Sequence, residues 1–168
     1  MAWFAMIPDL ALASALLAGE PAIPVIIPGT ACEIAPSPDW IPVADPGGNA
    51  LVLTRRDASA KISLVAGRLL VGEDLDAFSR RCQDDLTRLL SGFLVIAPGS
   101  VVLGGHPWRK LDYRFGLGQR SIEQRQYVAV IDGVGLVGTC AGPTGTTAAA
   151  IEVMLSSIGG SRPSLIRR

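Results

Sequence analysis

Charge, aromatics, histidine and lysine are all scarce in this chain. Charged residues make up 18% and aromatic residues 5% of its 168 residues, and 15 acidic residues balance 15 basic ones. Zero net charge excludes the basic footprint of a nucleic-acid binder. No Lys or Arg precedes Arg55, whereas Asp9, Glu20, Glu33, Asp39 and Asp45 all do. Thirteen of the basic residues are Arg and only Lys61 and Lys110 are Lys, a bias that reads as genome composition before it reads as an interaction surface. No uninterrupted apolar run approaches the roughly 20 residues of a membrane-spanning helix.

The residue types that catalysis and metal binding require are equally thin. Cys32, Cys82 and Cys140 cannot all pair within one chain, and none stands in a CxxC spacing, which disfavours zinc. They read as small buried hydrophobes in a reducing compartment. His106 is the single histidine. It has no Cys or carboxylate close in sequence to share a metal, and no GxSxG elbow accompanies it. Its setting, Gly104-Gly105-His106-Pro107, reads as a hairpin turn. Asp74 and Asp76 are too few oxygens for a calcium loop. Gly133, Gly135 and Gly138 match GxGxxG as a string, but a dinucleotide site needs a helix to start there. Thr139-Cys140-Ala141-Gly142-Pro143 follows instead, a strand and then a breaker. Gly142 to Thr147 lacks the lysine of a phosphate loop. No catalytic residue, cofactor site or metal site is expected, and the chain is not expected to be an enzyme.

Apolar residues and glycine are what the sequence has. Hydrophobic residues reach 49%, with 19 glycines and a mean hydropathy of +0.39. Such a composition implies a large buried fraction or a sticky surface. At this length one domain is the default. From Leu94 to Ala141, apolar stretches alternate with glycine breaks, the pattern of consecutive antiparallel strands. Trp108–Phe115, Ile122–Ile131 and Leu136–Cys140 read as strands, the last two joined by Asp132-Gly133, a strong hairpin signal. Upstream, residues 31–34, 50–54 and 61–66 read as strands, with Leu69-Leu70-Val71 closing that region.

The period changes to 3.6 between Glu73 and Leu90. Leu75, Phe78, Cys82, Leu86 and Leu89 make one helical stripe, and Asp76–Arg80 and Asp84–Arg88 are spaced as i,i+4 ion pairs. A second helix over 146–158, capped by Thr146 or Thr147, would present Ala148, Ile151, Met154, Leu155 and Ile158. Strands, a helix, hairpin strands and a last helix predict an α+β fold with helices packed on a mainly antiparallel sheet. The two helices are expected at about 73–91 and 146–158. The domain is expected over 29–160, between an apolar extension (1–28) and a flexible tail (161–168). The extension has three readings: a packed helix, an over-called start or unordered tail, and a degenerate export signal without the charged beginning such signals need.

Alternation along the central strands puts Trp108, Lys110, Asp112 and Arg114 on one face and Arg109, Leu111, Tyr113 and Phe115 on the other. Gln124, Arg125 and Gln126 would sit near a hairpin tip. Trp40, Trp108, Gln124, Arg125 and Gln126 are the candidate partner-binding residues, the tryptophans as anchors and the polar trio as a rim.

Several segments together resemble the DcrB-like, DUF1795 group of the Mog1/PsbP-like superfamily. They are Pro38-Asp39-Trp40, the helix start Gly72 to Phe78, Leu103 to Tyr113, Gln124 to Tyr127, the Asp132-Gly133 turn and the final helix. The resemblance covers about residues 31–159 and implies an α/β/α sandwich and a non-catalytic binding protein. Its Eag-type branch implies a cytoplasmic, dimeric chaperone for hydrophobic segments of a secreted effector. Its DcrB and LpqN-like branches imply instead a cell-envelope lipoprotein-like domain with a structural or small-ligand role, and membrane association stays open between them.

Overall fold

A computed structural model describes residues 23–142 and 144–158. The elements are β1 (Val25–Ile26), β2 (Glu33–Ile34), β3 (Trp40–Val43), β4 (Ala50–Arg55), β5 (Lys61–Gly67), α1 (Leu75–Leu89), β6 (Leu94–Leu103), β7 (His106–Leu117), β8 (Arg120–Ile131), β9 (Val134–Ala141) and α2 (Thr144–Ser156). β1 and β2 pair in a small hairpin, and the other seven strands form one antiparallel sheet in the order β3-β4-β5-β9-β8-β7-β6. The two helices lie on opposite faces of this sheet, completing the α+β sandwich expected from the sequence. Helix α1 packs on β7 and β8, and α2 packs on β9, β8 and β6.

Glycine pairs set the hairpins. Gly104 and Gly105 both have positive φ (59° and 80°), so a two-residue turn joins β6 to β7 with the twist that strands prefer. His106 therefore lies outside the turn expected for it. It is the first residue of β7, opposite Leu103. Asp132 and Gly133, with φ of 50° and 76°, make the expected turn between β8 and β9.

Helix α1 begins later than the periodicity implied. The Asp74 carboxylate accepts the Ala77 N–H at 2.8 Å, so Asp74 is the N-cap and Glu73 lies outside the helix. Phe78 and Leu86 are buried, but Leu89 is 49% exposed, because the stripe drifts off the sheet in the last turn. Neither expected i,i+4 ion pair forms: Asp76 pairs with Arg109 of β7 at 2.6 Å, and Arg88 with Asp85. Helix α2 buries Ala148, Ile151, Met154 and Leu155, and it ends at Ser156, short of the 158 expected, so Ile158 is buried just beyond it. It starts at Thr144, so Thr147 is inside the helix, buried and without a hydrogen-bond partner.

The larger core lies on the α2 side and joins Ile27, Trp40, Leu53, Ile62, Leu64, Trp108 and Tyr127 to the α2 residues. Ile27 is 0% exposed, so the fold takes in residues ahead of the boundary expected at 28. Most of the 1–28 extension and all of the 161–168 tail lie outside the described residues. A smaller core on the α1 side holds Leu86, Leu111, Tyr113 and Phe115.

Candidate partner-binding face

Of the five candidate residues, Trp40, Trp108 and Gln126 are buried, and Gln124 and Arg125 are partly exposed. Trp108 is 0% and Trp40 6% exposed, and the Trp108 indole N–H donates to the Leu103 carbonyl at 3.2 Å. Neither tryptophan is a surface anchor: both lie in the larger core on the α2 side of the sheet.

The polar trio is not at a hairpin tip either. The β7–β8 turn falls at residues 118–119, and Gln124, Arg125 and Gln126 pair in mid-sheet with both β7 and β9. Gln124 Oε1 accepts from the Tyr113 hydroxyl at 2.8 Å. Gln126 is 5% exposed. Arg125 grips both oxygens of Asp112, and this raises its already high pKa. Across the face, the Tyr127 hydroxyl donates to Glu152 of α2 at 2.6 Å. Burial, with that carboxylate beside it, pushes the phenol above its ordinary range. These contacts tie strands and helix together.

The three glycines of the GxGxxG string have structural duties, as the sequence suggested. Gly133 makes the turn. A Cβ on Gly135 would stand 2.4 Å from Phe78 Cζ, and one on Gly138 would stand 2.9 Å from Leu64 Cδ2. Cys32, Cys82 and Cys140 are free thiols. Burial pushes Cys82 up to about 12 and Cys140 up to about 11, so neither is a thiolate at neutral pH. Among the described residues no cluster of His, Cys, Asp or Glu could hold a metal ion. Nor is any described helix long and apolar enough to cross a membrane.

What the sequence reading missed is an apolar half-face. Cross-strand register puts Ile41, Val43, Val52, Thr54, Ser63, Val65, Val137 and Thr139 on the α1 side of β3, β4, β5 and β9. Helix α1 covers β7 and β8 instead, with Phe78 reaching across only as far as Gly67 and Gly135. Most of the strip is partly exposed, Val43 at 39%. A sheet face without a helix is ordinarily polar. This one carries β-branched apolar side chains and hydroxyls, with Lys61 at its margin.

The loop entering α1 is clamped at the edge of that face. Glu73, whose side chain is 5% exposed, receives Arg81 through Nε and Nη2, both at 2.7 Å, and accepts the Leu70 N–H at 2.9 Å. Arg81 also donates to the Arg68 carbonyl and lies over the Phe78 ring. The Arg81 hydrogen bonds, helped by the Leu70 amide, hold the Glu73 carboxyl at about 2 against an ordinary 4.5. A folded-state pKa below the unfolded one gives stability that is complete above about pH 4.5 and lost as pH falls toward 2. Glu73→Gln should therefore remove part of the acid dependence of the melting temperature in that window. An acid limb unchanged from wild type would show that the clamp does not contribute.

No family model matches the chain, and no curated protein does either. Solved structures do. Cyanobacterial PsbP (CyanoP) from Synechocystis sp. PCC 6803 superposes with a TM-score of 0.59 at 15% identity, over 88% of this chain and 98% of that one. The Ran-binding protein Mog1p of Saccharomyces cerevisiae gives 0.59 at 10% identity, over 82% and 94%. The fold is Mog1/PsbP-like. Pseudomonas aeruginosa PA94, a protein of unknown function, shares it with a TM-score of 0.53 at 16% identity, over 74% of this chain and 81% of that one. Among the described residues, no helix covers the half-face beside α1.

Proposed function

We propose that this protein is a non-catalytic binding module that receives an apolar segment of a protein partner on the open half-face of its sheet. The observation that carries the reading is the strip Ile41, Val43, Val65 and Val137, an apolar β surface with no described helix over it. The fold's use in a Ran-binding protein agrees with it. The finer reading is a chaperone for the hydrophobic segment of a secreted effector, whose apolar side chains would replace water over the valines.

A photo-crosslinking residue at Val43 tests this reading, with Val65→Lys as the matched variant. Crosslinks should concentrate on one protein's apolar segment and fall at least tenfold in Val65→Lys, with the melting temperature within a few degrees of wild type. Crosslinks scattered over abundant proteins, or unchanged in the variant, would sink the reading.

A further inference from the structure

We infer that the residues after Ile158 add an eighth strand to the free edge of the sheet, antiparallel to β6, with Ser164 opposite Ser100. β6 ends the sheet, and no described strand pairs with its outer side. Edge strands are ordinarily kept from pairing by shortness, charge, proline or a bulge. β3, at the other edge, has four residues and Pro42. β6 has ten residues and no charge. Pro98 and the register shift between Val95 and Ala97 guard its first half. Gly99 to Leu103 carries no such device, and Val102 is 69% exposed.

The turn at Gly104-Gly105 fixes which main-chain groups of β6 are free. In a two-residue hairpin the flanking residues, here Leu103 and His106, exchange hydrogen bonds, and bonded pairs then alternate down the ladder. Leu103, Val101 and Gly99 therefore bond to β7, while Val102, Ser100 and Pro98 turn their main-chain groups outward. Pro98 has no N–H to offer, so the free donors of this half are Ser100 and Val102.

Helix α2 delivers the chain to this edge. The Leu155 and Ile158 carbonyls lie 3.1 Å from where a Cβ on Gly104 would stand, at the end of β6. Ile158 is the last described residue, and Gly159 to Arg168 follow it in the sequence. Gly159-Gly160-Ser161 is long enough for the reversal, since αβ connections run about 2–6 residues. Arg162 then faces Val102, Ser164 faces Ser100 and Ile166 faces Pro98. Pro163 falls opposite Val101, where its missing N–H costs no ladder bond. The alternation on β6 and the place of Pro163 thus agree on which residues of the new strand bond. A segment tethered this closely has a millimolar effective concentration, which favours it over a second copy or a free peptide. The pairing uses none of the residues of the open half-face.

Hydrogen exchange of single amides in the full chain, read by NMR, tests the strand. The Ser100 and Val102 amides should exchange at least tenfold more slowly than in an unstructured chain, although no described group bonds them. Ser164→Pro removes a donor at a bonding position and should return both to fast exchange. Leu165→Pro, at a non-bonding position, should leave both within about threefold of wild type. Val101, bonded to β7, should keep its rate in both variants and so reports that the sheet is intact. Fast exchange of Ser100 and Val102 in wild type, or an equal response to the two prolines, would overturn the proposal. Protection that survives Ser164→Pro and rises with protein concentration would overturn it in favour of a second copy on the same edge.

Discussion

Replacing Trp108 by alanine should lower the melting temperature by about 6–20 °C. A large aromatic cut to alanine in a core costs about 3–5 kcal/mol, and each kcal/mol is worth about 2–4 °C in a domain of this size. The side chain is 0% exposed, lies in the α2-side core and satisfies the Leu103 carbonyl. Alanine would remove the packed ring and the indole donor together, next to the β6–β7 turn. That turn is itself crowded, since a Cβ on Gly104 would come within 3.1 Å of the Leu155 and Ile158 carbonyls. The site therefore has little freedom to collapse around the hole. Phenylalanine should recover most of the packing and none of the hydrogen bond. The experiment also separates two views of the residue. A surface anchor cut to alanine would leave the melting temperature alone and weaken partner binding, so a shift below about 2 °C would refute the buried placement.

Trp108 shows where sequence reading stops. Its strand, its alternation and the faces of its neighbours were all legible, because period-2 patterning survives in β7 and β8. What a covered face hides is which helix lies above it: in a sheet packed on both sides, Trp108 and Tyr113 point in opposite directions and both are buried. Gln124 and Gln126 misled for a related reason. Polar side chains in a strand suggest a rim, but here Gln124 answers a buried tyrosine hydroxyl. Ion pairs were least legible. Local spacing pointed Asp76 at Arg80, whereas the partner it finds, Arg109, is 33 residues away across a packed interface. The open half-face was invisible because its valines are spread over four strands, and only register brings them side by side. Leu70 and Val71 looked like the end of a strand, and nothing local shows that Gly72 turns the chain there.

Gly135→Ala should be strongly destabilising, because among the described glycines its added methyl group would make the closest approach, and the reason is distinct from turn formation. Gly135 and Gly67 face each other across β9 and β5, and the Phe78 ring lies down over the pair. An alanine Cβ at 135 would stand 2.4 Å from Phe78 Cζ, 2.6 Å from Cε1 and 2.9 Å from the Gly67 carbonyl oxygen. Overpacking of this kind costs about 1–3 kcal/mol and occasionally more. The upper end is expected, because one of the three neighbours is backbone and Phe78 is itself 2% exposed, with Arg81 over its ring. Phe78→Leu, by itself destabilising, withdraws the two ring atoms and leaves the carbonyl. The double variant should therefore be less destabilised than the sum of the singles, with a favourable coupling of about 0.5–3 kcal/mol, the range for residues in contact. Chemical denaturation of wild type, both singles and the double measures it. Strict additivity would mean that the ring is not what the methyl group meets, and the glycine in the middle of the GxGxxG string would then need another cause.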